Sequence, residues 1–142
     1  MTPFKMIADN DCLRTCIASL LDMGPVAVPN FMENPDRETA DVWDDVRRWL
    51  RSQGKSLWMA AYPGELELEA VLQSVAAMNP DMYYIVGGFA AYHDHVVIAL
   101  NDKVVHDPSR MSPGLTRAAT GSDGSRYWYI ATLVSDKMVK HS

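Results

Sequence analysis

The apolar residues of this chain change their spacing partway along it, and that change limits the possible fold more than any other feature. Residues 11–22 place Leu13, Ile17, Leu20 and Leu21 at i, i+4, i+7 and i+8, with Cys16 and Ala18 filling the same side. That is the stripe a helix presents to a core. Asn10 or Asp11 stands where it can cap the start, and Gly24-Pro25 where it can end the helix. "VAVPNFMENP" reads as a connection with one short helical turn. Residues 37–53 predict a second helix through Val42, Val46, Trp49 and Leu50, flanked by Trp43, with Gly54 just past its end. "SLWMAAY" follows as a strand, and a third helix runs from near Glu65 to Asn79-Pro80. Beyond that the pattern becomes β: "MYYIVGGF", "HVVIAL", "KVVHD" and "RYWYIATLV" are short runs rich in β-branched and aromatic residues. Asn101-Asp102 turns "HVVIAL" into "KVVHD", and a Pro/Ser/Gly-rich loop over 108–124 precedes the last run. Helices first and an antiparallel sheet later make the expected class α+β, not alternating α/β.

The 142 residues suit a single domain spanning 1–142 that can bury a core without staples. Thirteen basic against eighteen acidic residues leave a net charge of −5, which argues against a nucleic-acid backbone or an anionic membrane as partner. Runs such as "VVIAL" are far shorter than the roughly 20 residues of a spanning helix, and "MTPFKMIADND" has no apolar leader block. Two cysteines four residues apart do not make a disulfide framework, and within one helical turn they would strain the bond. The expectation is a cytoplasmic protein with both thiols reduced. No Walker loop, G-x-G-x-x-G or H-E-x-x-H occurs, so no nucleotide cofactor or metal is expected.

Three residues stand out chemically. Cys12 begins the first helix, His95 adjoins an apolar strand, and Asp107 ends the next one. A thiol attacks as thiolate, and a helix N-terminus or a neighbouring imidazolium favours that anion; the carboxylate of Asp11 opposes it if it points at the sulfur. The plainer reading makes Cys12 a small hydrophobe near the core. Cys16, one turn deeper on the apolar side, reads as an inert buried thiol. His93 and His95 share a side if one strand contains both, with His95 the better fixed. Asp107 can orient an imidazole or simply start the loop at "DPS". His106 points away from the face of Asp107 if the strand continues that far, and His141 falls in a terminal tail. Only twelve positions separate His95 from Asp107, so two strands joined by a tight turn bring them together. A zinc site from Cys12, Cys16, His95 and His106 uses suitable ligand types, but its spacing is not that of a usual knuckle. Most tryptophans read as core, with Trp58, Tyr62 and Tyr92 as candidates to line a cleft.

Asp11-Cys12 in "DCLRTCIASLL", then "HVVIAL", then Asp107-Pro108, resemble in order and wording the papain-like cysteine peptidase superfamily, nearest its bacteriocin-processing, double-glycine branch. The chain also resembles small phage and bacterial proteins that pair "NDCLRxC" with a later "HDP". The resemblance rests on three short motifs covering about thirty residues. It implies a papain-like fold, an N-terminal helix packed on an antiparallel sheet, and a cysteine hydrolase in which Cys12 attacks, His95 shuttles the proton and Asp107 orients His95. Its substrate would be a peptide or amide. The pattern departs from the branch at Leu13, where a glycine follows the nucleophile, and from the superfamily in having no glutamine before Cys12. Asn10 is the side chain left to serve an oxyanion hole with the Cys12 N–H. The alternative implied is a papain-like domain of weak or no activity that binds or inhibits a host protein, as a phage-type protein would.

Overall fold

The structure, a computed structural model, describes residues 1–135 and 137; His141 lies outside them. Among the described residues, three α-helices and a six-stranded sheet make an α+β fold. The order is α1 (Cys12–Leu21), α2 (Thr39–Ser52), β1 (Lys55–Pro63), α3 (Leu68–Met78), β2 (Tyr83–Ala90), β3 (His93–Leu100), β4 (Lys103–His106), β5 (Ala119–Thr120) and β6 (Arg126–Ser135). The spatial order is β1-β6-β2-β3-β4, with β5 a short addition to β6, and every pairing is antiparallel. Two helices thus precede all strands, and α3 falls between β1 and β2. No helix among the described residues is long and apolar enough to cross a membrane.

Alternation along the strands divides the apolar residues between two cores. Leu13 and Ile17 of α1 and Val46 and Leu50 of α2 pack with Ile85, Val96 and Ile98. Val71 and Val75 of α3 pack with Tyr84, Val86, Val97 and Ile130. The central strands are therefore covered on both sides, which is why "YYIV" and "VVIA" read as continuous apolar runs.

Element ends differ from the sequence reading for local reasons. α1 stops at Leu21 because Asp22 takes the left-handed conformation, φ 56°, before Gly24 is reached; a short polar side chain tolerates that region better than most. Neither Asn10 nor Asp11 caps its start through a side chain. The short helical turn in the connection is a 3-10 turn at Pro25–Ala27. α2 begins at Thr39 instead of residue 37, and Trp43 is buried while Trp49 is only partly so. α3 starts at Leu68 because the preceding residues are spent in a turn closed by Leu66 N–H on the Pro63 carbonyl. β3 begins at His93, so both histidines lie on the strand, and the 108–124 loop contains β5.

Candidate active site

The β3–β4 hairpin decides which polar side chain meets His95. Its tight turn at Asn101-Asp102 pairs Leu100 with Lys103 and Ala99 with Val104. Continued without interruption, that register would set His106 opposite Val97 and Asp107 opposite Val96. Directly paired residues point to one side and alternate along the strand. His106, not Asp107, would then share the side of His95. The register instead shifts between Ile98 and Ala99, and Ile98 pairs with His106, which leaves Val105 as an extra residue. This β-bulge moves Asp107 to the side of His95. His95 Nε2–H donates to Asp107 Oδ1 at 2.7 Å. His106 is turned elsewhere, its Nε2–H donating to the Phe4 carbonyl at 2.6 Å.

Asp107 is held from all sides. Its Oδ1 also accepts the Ser109 N–H at 3.0 Å, and its Oδ2 accepts the Gly114 N–H at 2.8 Å. The Lys5 ammonium donates to the carbonyls of Asp107 and Ser109 and to Ser112 Oγ, at 2.8, 3.1 and 3.1 Å. Burial raises the Asp107 carboxyl, but the hydrogen bonds from His95, Gly114 and Ser109 outweigh it and hold it below its ordinary range. For His95, burial is the largest single influence and favours the neutral ring. The hydrogen bond and charge of Asp107, with the nearby Cys12 sulfur, outweigh it together and raise its pKa to about 9.

β4 ends at His106, opposite Ile98, so among the described residues the first part of β3 has no strand on that side. α1 covers this edge, and Cys16 Sγ donates to the Val96 carbonyl at 3.8 Å. A helix over a bare edge keeps it from pairing with another chain. Here it also delivers the first residue of α1, Cys12, to His95. The second ring nitrogen of His95, Nδ1, is buried and has no completed hydrogen bond. Cys12 is close enough to help raise the pKa of that ring, so the pair faces each other without having closed. Catalytic hydrogen bonds are often this loose before substrate arrives. The Asp11 carboxylate accepts the Ile7 N–H at 3.3 Å and pairs with Arg14 at 3.4 Å. Cys16 is fully buried; burial first, then the charges of Cys12 and Asp107, push its thiol well above its ordinary value.

Cys12 and His95 line one cavity of about 230 Å³. Leu13, Val42 and Trp43 supply its apolar wall, and Asn10, Asp94 and Tyr129 bring polar groups. Asn10 is exposed and sits in the left-handed region at φ 54°, beside the first-turn N–H groups that a helix leaves without internal partners. His93 also lines the cavity, its ring 6.1 Å from that of His95; its Nδ1–H donates to the Ala90 carbonyl at 3.2 Å. Sequence reasoning missed Trp43, Asp94 and Tyr129. Trp58 is half exposed and Tyr92 is 95% exposed, and neither they nor Tyr62 is part of this wall. For Asp94, adjacency to His95 was an available signal; for Tyr129, none was, since pairing across β2 brings it in.

No cluster of three or more His, Cys, Asp or Glu among the described residues is arranged to hold a metal ion. Cys16 and His106 are committed to the carbonyls of Val96 and Phe4. A scan against protein-family models, a search of curated proteins and a search of solved structures each return no match.

Proposed function

We propose that this chain is a papain-like cysteine hydrolase, a peptidase or amidase acting in the cytoplasm. The carrying observation is the division of labour on His95: Nε2 is bound to Asp107, while Nδ1 is buried, unpartnered and next to Cys12. In the proposed reaction the Cys12 proton already rests on His95 Nδ1, in keeping with a ring pKa of about 9, and the thiolate sulfur adds to the substrate carbonyl carbon. The oxyanion is met by the Asn10 amide and the Cys12 N–H. His95 then protonates the leaving amine as the C–N bond breaks. Water, giving a proton to the same Nδ1, attacks the thioester and frees Cys12. Asp107 holds the ring and balances its charge without taking the proton.

The first test is iodoacetamide labelling at pH 7, with mass spectrometry resolving Cys12 from Cys16, on wild type and His95→Ala. The expected result is labelling at Cys12 alone, slowed tenfold or more by His95→Ala. Labelling indifferent to His95 would remove the hydrolase reading.

A second reading has one specific support. Cys12 is only 3% exposed, so a carbonyl must displace part of the wall to reach it. On this reading the domain has weak or no turnover and uses the cleft to bind a host protein. A Cys12 that labels only in denaturant, with a native partner captured regardless of Cys12→Ala, would favour it.

A further inference from the structure

Most charged side chains around the cleft are neutralised locally. Arg37 pairs with Asp45 at 2.8 Å, Asp107 with His95 at 2.7 Å, and Asp11 with Arg14 at 3.4 Å. Asp94 is the exception. It follows His93 and precedes His95 on β3 and lines the cavity with them; its backbone pairs with Phe89 in the ladder, but its carboxylate has no hydrogen bond or ion pair among the described residues. Arg117 is near enough to favour its charged form. That guanidinium, however, is stacked on Phe89, 4.0 Å from the ring centroid, and reaches Thr120 Oγ1 at 3.5 Å. Asp94 is exposed, yet partial loss of hydration at the cavity wall raises its carboxyl, and His93 and Arg117 offset this only in part. Gly87 pairs with both Val96 and Tyr129, so Tyr129 stands on the face that Val96 shares with Asp94; burial first and then the Asp94 charge push the Tyr129 hydroxyl upward.

We infer that the cleft takes a ligand carrying a cationic group, the ammonium or guanidinium of a lysine- or arginine-like side chain, and that Asp94 selects it. This rests on the reading of the Cys12–His95 cavity as the substrate site, and it names the substrate class. A long cationic side chain has an apolar stem and a charged head. Leu13 and Val42 suit the stem; Asp94 suits the head, with the rings of Trp43 and Tyr129 as further attraction for a cation. An anionic side chain meets an unpaired carboxylate instead. The net charge of −5 adds a field of the same sign.

The test is equilibrium binding of Nα-acetyl-lysinamide against its uncharged analogue Nα-acetyl-norleucinamide, read from backbone amide shifts of residues 93–96. It requires no turnover. One partly exposed charge pair predicts about a fivefold preference for the lysine compound. Asp94→Asn should reduce the preference below twofold, and Asp102→Asn, an acid at the far turn of the hairpin, should keep it. Asp94 is exposed, so the amide spectrum of Asp94→Asn should stay that of the folded protein. Equal binding of the two compounds, a preference that survives Asp94→Asn, or shifts confined to residues outside 93–96 would overturn the inference. Lysine selectivity with a Cys12 indifferent to His95 would remove the hydrolase and leave the ligand class standing. An activated Cys12 without selectivity would do the reverse.

Discussion

Each residue of the site has its chemistry set by neighbours that differ in sequence distance. Cys12 is the first residue of α1 and influences the His95 ring, whereas Cys16, one turn on, is sealed. The sequence reading separated the two by place along the helix, Cys12 at its start and Cys16 one turn deeper on the apolar side. Asn10 was legible only as a nearby amide; its left-handed backbone, φ 54°, was not. If Asn10 supplies an oxyanion donor, Asn10→Ala should lower kcat/KM by roughly 100- to 1,000-fold, matching the loss of one such donor, on whichever amide substrate a screen finds. A change under threefold would assign the oxyanion to backbone alone. Asp107→Asn removes a charge that helps keep the His95 ring protonated. The expected outcome is a His95 pKa lowered from about 9, measured from the imidazole NMR shifts.

At the scale of elements, two contacts shape the surroundings of the Cys12–His95 cavity. Lys5 ties the N-terminal segment to the loop that carries Asp107. Lys5→Met should speed hydrogen exchange at the Ser109 and Gly114 amides, which donate to the Asp107 carboxylate. Global stability should fall by only about 1 kcal/mol, as expected for exposed hydrogen bonds. Unchanged exchange would show that the loop holds itself. Gly87 on β2 faces Tyr129: a Cβ there would lie 2.1 Å from Tyr129 Cδ2. Gly87→Ala should therefore cost about 1–3 kcal/mol by overpacking, measured by urea unfolding, because the ring itself must move. The strand was legible in "YYIVGGF"; the reason for Gly87 was not, since Tyr129 arrives from a strand 42 positions away.

For the molecule as a whole, the buried His95–Asp107 pair links stability to pH. The folded pKa of His95, about 9, exceeds its ordinary value of 6.5, so its contribution is complete below pH 6.5 and is lost as pH rises toward 9. The Asp107 carboxyl is held below its ordinary 3.8, so its contribution is present above that value and is lost as pH falls through the lower folded value. Urea unfolding should thus show a stability decline between pH 6.5 and 9 that is shallower in His95→Gln. Equal slopes would mean that the pair does not carry the dependence. The α+β class, the three helices and the main strands followed from the sequence by itself, because apolar spacing and turn residues act over a few positions. The same local signals singled out Cys12, His95 and Asp107 as the residues with chemistry to offer. Tertiary structure alone decided that Asp107 and not His106 meets His95, because one extra residue at Val105 exchanges the sides of the strand. It also decided that α1 lies over the bare edge of β3 and that Trp43, Asp94 and Tyr129 enclose the cleft. Those outcomes depend on pairing and packing between distant segments, which no local pattern specifies.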